Sequence, residues 1–418
     1  MGRGTMGRMA AWVVALLVGL PVLAYAGLVA INWNDEAPSA EAERLVAMYR
    51  DRPVVADADN ARVQMERLVT DAEAGYKAAR SPGITALVEA CNEPSACATA
   101  LDANPDAAKE WLDSEGWLLE RYRRGISKPG WREETPEAGA APWLGIHSVL
   151  DAQKLHLLDA HRLALEGDAA AVRDLLQSDL VFWRRVLASS DLLVTKTVAA
   201  AAIGRNFQFG TLALRMLPAG LAEAAVPASW REPLTLPERS LVRTMAGEWH
   251  FTAKVLRGAS TGASREEKEL GDRLAGAMLQ EQATLNRAAA RVLRVGELSE
   301  LPYDELGPAL QALAEEPPPP SFRLYNPVGT MLDSTVTPGQ YARYIVRISD
   351  LEGTRRAALL AATLRAEGVD AAQAGTAVAE APLRSPYEGT AFEWDAASGE
   401  VVFNGLGEGE RGRHAVLL

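Results

Sequence analysis

Glu248-Trp249-His250 sets a carboxylate and an imidazole on either side of a large aromatic ring. A sugar-cleaving site uses such parts, an acid to protonate the leaving oxygen and a platform for the ring, but it also needs a second carboxylate, and the sequence identifies none. Lys196 stands alone within Leu192–Ile203, a helix apolar nearly all round and therefore central. A buried ammonium needs a carboxylate partner or a lowered pKa. A lowered pKa would make Lys196 a catalytic amine. The expectation is instead an ion pair with an acid from a neighbouring helix, or a stem that snorkels to water. His147, His156 and His161 fall close together, and His147 and Asp151 are four apart on a helix, a spacing two metal ligands can share. No third ligand joins them within a turn. One partly buried, hydrogen-bonded histidine and two surface ones are expected.

Gly258-Ala-Ser260-Thr-Gly262 matches a nucleophile elbow, with Asp333, Asp350 and His414 following in the hydrolase order. That pattern requires a buried strand before the serine, within a parallel sheet. No alternating strand–helix series is present, so a Gly/Ser loop between two helices is expected. Asp57-Ala-Asp59-Asn60 opens like a calcium loop but has Arg62 in place of the glycine and Leu68 in place of the closing glutamate, which leaves helix capping. Gly405-Leu-Gly-Glu-Gly409 is followed by no Lys-Ser or Lys-Thr, so it cradles no phosphate and reads as a frayed tail. No catalytic residue is assigned. Glu248, His250, Lys196 and His161 are the candidates, and neither a metal nor a cofactor is expected.

The composition agrees with a non-catalytic, helical reading. The chain has 418 residues, of which 48% are hydrophobic and 6% aromatic, enough apolar weight for a sizeable core built mainly from Ala, Leu and Val. Forty-three Lys and Arg against 55 Asp and Glu give a net charge of −12, the wrong sign for a nucleic-acid partner. Two cysteines exclude a disulfide scaffold or a four-cysteine zinc site. Cys91 and Cys97, in a short loop between helices, are expected to form one disulfide if the chain is exported.

Export is indicated near the start. Met9 to Ile31 carries no charge, and at about 1.5 Å per residue such a run spans roughly 34 Å, enough for a bilayer core of about 30 Å. Arg3 and Arg8 precede it and Asp35 and Glu36 follow, so the positive-inside rule leaves residues 1–8 in the cytoplasm and the rest outside. Trp12 and Trp33 mark the two headgroup layers. Ala24-Tyr25-Ala26 would suit signal-peptide cleavage, but the apolar run continues to Ile31, and a signal-anchor at 9–31 is the expected reading. The acidic body should not lie flat on anionic lipid.

The remaining elements follow from periodicity and caps. Residues 32–126 form a membrane-proximal helical region, with short helices around Glu41–Arg50, after Asp59-Asn60, and around Ile84–Ala90 and Ala107–Arg124. Residues 127–141 have linker composition. A helical domain occupies 142–316: a helix from Pro142 to Glu166, a second with Val172, Leu176, Leu180, Trp183 and Leu187 on one stripe, a third over Leu192–Ile203 capped by Ser190-Asp191 and closed by Gly204, and a fourth capped by Asn206. Capping boxes at Thr235-Leu-Pro-Glu238, Ser264-Arg-Glu-Glu267 and Thr337-Pro-Gly-Gln340 open further helices. Residues 317–336 are a Pro-rich connector, and 337–418 hold a long helix and a hairpin of Thr390–Asp395 with Glu400–Asn404. The expected fold class is mainly α: a transmembrane helix, an αα-hairpin body of helical-bundle or tetratricopeptide-like type, and a small C-terminal β-hairpin.

Several stretches resemble a group of single-pass, membrane-anchored bacterial proteins for which no catalytic residues are established: Asn34-Asp-Glu-Ala-Pro38, Asp57-Ala-Asp-Asn-Ala61, Phe182-Trp-Arg-Arg185, Tyr325-Asn-Pro-Val-Gly329, and Ser385-Pro-Tyr-Glu-Gly-Thr390 before Phe392-Glu-Trp394. The C-terminal helix, turn and hairpin also resemble the ends of type II secretion pseudopilins. No Gly-Phe junction opens the apolar segment, so that function does not carry over. The resemblance implies a location and no activity. The expected function is that of a tethered scaffold in the bacterial inner membrane, its bulk periplasmic, binding the bilayer and a protein or peptide partner in a helical groove. The alternative is an envelope hydrolase acting on a peptidoglycan-like substrate.

Overall fold

The first helix, α1 (Arg3–Ile31), is 29 residues long and carries Pro21 in its interior. Trp12, Leu17 and Leu23 on it are 71%, 69% and 70% exposed, and among the described residues it makes no packing interface with another element. The computed structural model describes residues 3–135, 145–261, 275–337 and 339–418; within α1 it describes the side chains of Trp12, Val13 and residues 15–31. Among the residues so described, no helix is long and apolar enough to cross a membrane.

The body begins with α2 (Ala40–Arg50), whose N-cap Ser39 accepts from Ala42 N at 3.2 Å, and α3 (Ala61–Glu66), capped by Asn60. A group of short helices follows: α4 (Pro82–Ala90), α5 (Pro94–Ala103), α6 (Pro105–Ser114) and α7 (Gly116–Ile126). Proline opens α4, α5 and α6, where its missing N–H costs nothing. Residues 127–135 are not a free linker. Asn60 bridges to Gly130, its side-chain amide donates to Arg132 O at 2.9 Å, and Trp131, Glu133 and Thr135 are buried.

The centre is a layer of three long helices, α8 (Ile146–Leu165), α9 (Ala169–Ser189) and α10 (Leu193–Met216), packed pairwise. Val172, Leu176, Leu180, Trp183 and Leu187 are all essentially inaccessible, as their stripe requires. The two helices expected to either side of Gly204 are one, α10. Gly204 lies within α10, with a Leu351 methyl in ordinary contact at 3.8 Å from where a Cβ would stand. Asn206 is no cap: buried, it donates to Leu176 O and Asp179 Oδ2 and accepts from Trp230 Nε1 at 3.0 Å.

Short turns α11 (Ala219–Ala225), α12 (Ala228–Arg231) and α13 (Leu236–Arg239) lead to α14 (Val242–Thr261). The capping box of Thr235 and Glu238 is present at α13. Gly258 to Thr261 continue α14 rather than forming a loop, so Ser260 lies on a helix and sits in no elbow. The capping box at Ser264 and the helix start at Pro142 lie outside the described residues, as does Pro338 of the third box. Of the helix expected from 265, the described part is helical at 275–276 and turns at Ala277 and Met278, and α15 (Glu281–Leu298) starts after it, burying Leu285 and Val292. Then come α16 (Tyr303–Ala314), α17 (Pro327–Ser334), the long α18 (Gly339–Ala366) and α19 (Ala371–Glu380).

The sheet has three antiparallel strands in order β1 (Glu393–Asp395), β2 (Glu400–Asn404) and β3 (Arg413–Leu417). The β1–β2 hairpin was legible; β3 was not. The Gly-rich stretch taken for a frayed tail is the turn into β3, closed by Gly405 N donating to Gly412 O at 2.7 Å. The sheet lies on α10 and α18, where Gly353 lets the Phe403 ring come within 2.2 Å of a Cβ position. The fold is thus mainly α with a small antiparallel sheet at its C-terminus.

Candidate functional site

The four candidate residues do not gather round one point. Glu248 and His250 are two apart on α14 and turn to different neighbours. Glu248 Oε1 accepts from Leu193 N at 2.7 Å, which caps the start of α10, and burial raises its pKa. His250 stacks on Tyr49 with centroids 3.9 Å apart, and burial together with Lys254, Arg52 and Arg257 lowers its pKa. Trp249 between them is no open platform: it is 3% exposed and donates to Leu285 O at 2.9 Å. His161 is on α8 among Leu101, Leu158 and Leu212, whereas Glu248 meets Leu193 and His250 meets Tyr49.

Lys196 is buried at 2% exposure, and its Nζ donates to Leu187 O at 2.7 Å. The expected carboxylate partner is absent from that contact. The ammonium instead closes the C-terminal end of α9, where the last carbonyls lack helical donors and the helix dipole is negative. Ser190 Oγ does the same for Val186 O at 2.6 Å. Burial and the nearby Arg243 lower the Lys196 pKa to about 7.

The start of α10 holds a buried polar cluster that sequence reading missed. Glu133, 2% exposed, accepts through Oε1 from Asp191 N (2.5 Å) and Leu192 N (2.9 Å) and through Oε2 from the Thr195 hydroxyl (2.6 Å). Burial pushes its pKa up to about 7, with the Asp191 charge adding to the effect. Asp191 in turn pairs with Arg52 at 2.6 Å and Arg243 at 2.9 Å. Glu133 lies 58 positions from Asp191 in a stretch of linker composition, so nothing in the local sequence announces the contact. Both its carboxylate oxygens accept from the backbone and hydroxyl of one helix end, which makes it a cap supplied from a distance.

The histidines also depart from expectation. His147 is exposed, but His156 and His161 are both buried. His156 lies 3.0 Å from Leu175 O and 3.4 Å from Arg123 Nε. Asp151 is bound to Lys77 and Arg80 and is not available to a metal with His147. Among the described residues no cluster could hold a metal ion. His414 does approach Asp350 at 3.1 Å, but that carboxylate also accepts from Tyr387 OH (2.5 Å) and Leu406 N (3.1 Å), tying the sheet to α18. Ser260 belongs to α14, which has no part in that joint.

His161 lines a groove of about 280 Å³ between α5, α6 and α8, with Asp102, Lys109 and Arg162 at polar positions and Leu101, Leu112, Leu158 and Leu165 supplying apolar wall. Burial lowers its pKa and Asp102 opposes that shift. Beneath the groove Cys91 and Cys97 are bonded at 1.97 Å, beside Lys154, whose Nζ donates to Val88 O and Asn92 Oδ1.

A further buried polar network lies just past the end of α1, where the chain enters the body. Asn32 is 4% exposed; its side chain donates to Leu324 O (2.9 Å) and accepts from Asn326 N (2.6 Å), and its carbonyl accepts from Gln280 Nε2 (2.5 Å). Asn326 has φ 53, the one non-glycine residue with positive φ among those described, a conformation asparagine tolerates better than most. Its amide meets Gln280 O and Thr284 Oγ1, and its Oδ1 accepts from Gln280 N and Gly329 N. Asp35 accepts from Gln282 N (2.6 Å) and Ala283 N (2.9 Å) at the start of α15. Two of the resemblance stretches, Asn34–Pro38 and Tyr325–Gly329, meet at this socket, where Tyr325 OH donates to Asn34 O. Asp57–Ala61 joins Gly130, and Trp183 donates to Tyr122 OH. These stretches are joints of the fold. No protein-family model, curated protein or solved structure matches the chain.

Proposed function

We propose that the chain is a membrane-tethered helical interaction protein of the bacterial cell envelope: residues 9–31 cross the inner membrane once and the body lies in the periplasm. The observation that carries this reading is the solvent exposure of α1. Apolar side chains stand out on all its sides, Leu16, Leu17, Val18, Leu20, Val22 and Leu23 among them, and nothing described in the fold covers them. A contiguous apolar surface of that size needs a cover, and hydrocarbon supplies one along the whole uncharged run. The flanking Arg3 and Arg8 orient it, and the Cys91–Cys97 pair suits an oxidising compartment.

The body then acts by binding. Glu248, Lys196 and Glu133 each hold a helix end, and His156 sits between Leu175 O and Arg123, so these buried groups serve the fold. The groove at His161 is an open, largely apolar feature, sized for one or two side chains of a partner protein or peptide. Purification of the full chain from membranes tests this. A stoichiometric partner whose association is lost on Leu112→Asp supports it. Turnover of peptidoglycan fragments by the purified chain, lost on Glu248→Gln, would establish the hydrolase instead.

A further inference from the structure

We propose that the body touches the bilayer a second time, through an apolar apron around the foot of α1 made of Trp33, Phe322 and Leu324, with Met331 and Leu332 on the next turn. This rests on the anchor reading above. The argument is one of position. Ile31 ends α1, and the next residue, Asn32, holds Leu324 O at 2.9 Å through its side chain. If α1 spans the hydrocarbon, the Leu324 backbone is fixed at the level of Asn32, within the headgroup layer of roughly 5–8 Å on each face.

The side chains there suit that layer. Trp33 is 77% exposed, Phe322 60% and Leu324 59%, while Met331 and Leu332 face outward on α17 opposite the buried Thr330 and Asp333. Aromatic and aliphatic groups standing in water are costly singly and belong at the interface collectively. The charges are sorted to match. Arg323 is exposed between Phe322 and Leu324. Asp35 is turned onto the start of α15, Glu36 onto Asn286, and Asp333 onto Arg287 and Arg291. The edge that meets lipid is thus apolar and carries the Arg323 cation; of its acids Asp333 is buried against two arginines, and the exposed Asp35 and Glu36 are each engaged by polar groups of the body. The socket of Asn32, Gln280 and Asn326 makes the contact rigid, because α1 cannot swivel without breaking buried hydrogen bonds. The partner chemistry is a phospholipid surface, and anchor and apron together fix which face of the body looks away from the membrane.

The full chain, reconstituted in phosphatidylcholine–phosphatidylglycerol vesicles, carries a thiol-reactive environment-sensitive dye at one introduced cysteine, the native pair being bonded. Labels at Val22→Cys, Leu324→Cys, Met331→Cys and, as a distant control, Leu165→Cys are compared for quenching by lipids brominated shallow or deep in the chain. We expect Val22 to be quenched by deep bromines, Leu324 and Met331 by shallow ones, and Leu165 by neither. Quenching at Val22 with none at Leu324 and Met331 overturns the apron and leaves the anchor standing. No quenching at Val22 removes the anchor and the apron with it. Equal quenching at Leu165 and Leu324 overturns a defined contact face.

Discussion

Lys196 and Glu133 show how a charge that looks chemical can be structural. Lys196 donates to Leu187 O from a site that holds its pKa near 7. Replacement by Met keeps the volume, loses only the bond to Leu187 O and should cost about 1–2 kcal/mol. Replacement by Ala leaves a cavity and an unmet carbonyl and should cost about 2–4 kcal/mol, read from urea unfolding. The two residues bend the pH profile in opposite senses. Between the ordinary carboxyl value of 4.5 and about 7, folded Glu133 keeps a proton that the unfolded chain has released, so its contribution makes stability fall as pH rises. Between about 7 and the ordinary amine value of 10.5 the unfolded chain holds the Lys196 proton and the folded chain does not, so stability rises with pH. Glu133→Gln, which can still accept from both backbone amides, should remove the first slope, and Lys196→Met the second. Unchanged slopes in unfolding free energy across pH 5–10 would contradict both assignments. Lys196 was legible as an oddity because its apolar neighbours are adjacent in sequence. Its partner was not, because a backbone carbonyl nine residues away leaves no compositional trace.

At the scale of elements, the sequence marked stripes and caps well and missed joints. The stripe of α9, the box at Thr235 and the cap at Asn60 are local, set by residues within one turn, whereas the cap expected from Ser190-Asp191 fails because Ser190 Oγ turns back to Val186 O and Asp191 pairs with arginines. Gly204 is simply helical, and Gly405 was misread because glycine marks both chain breaks and close approaches, and only the packing partner, here the Asp350 carboxylate, distinguishes them. Gly247 is of the second kind. The Asp191 carbonyl oxygen stands 1.8 Å from where its Cβ would be, so α14 can pass the α9–α10 turn only with hydrogen there. Gly247→Ala should push α14 off that turn and cost about 1–3 kcal/mol. Faster amide exchange at Leu193, whose N–H is held by Glu248, would accompany it. A variant as stable as the parent would mean the helices lie further apart. β3 was illegible for a related reason: five residues at the chain end gain strand character only by pairing with β2.

For the whole molecule, the question is whether α1 is an anchor and whether it is rigidly held. The socket couples the two. Asn326→Ala removes donors and acceptors from four buried partners and should destabilise the junction by about 2–3 kcal/mol. Limited proteolysis of the membrane-bound variant should then release the body by cleavage at about 33–38, while the parent resists. Equal resistance would show that the junction does not depend on this residue. The uncharged run and its flanking arginines were plain in the sequence, because length and charge need no fold to interpret. The socket was hidden, since Asn32 lies 248 positions from Gln280 and 294 from Asn326, and each is unremarkable alone. The central claim is that the chain enters the bilayer once and carries its body outward. A paired topology reporter fused behind Leu418, alkaline phosphatase in one fusion and a cytosol-dependent fluorescent protein in the other, tests it directly. The account predicts phosphatase activity and no fluorescence in intact bacterial cells; fluorescence without phosphatase activity would contradict it.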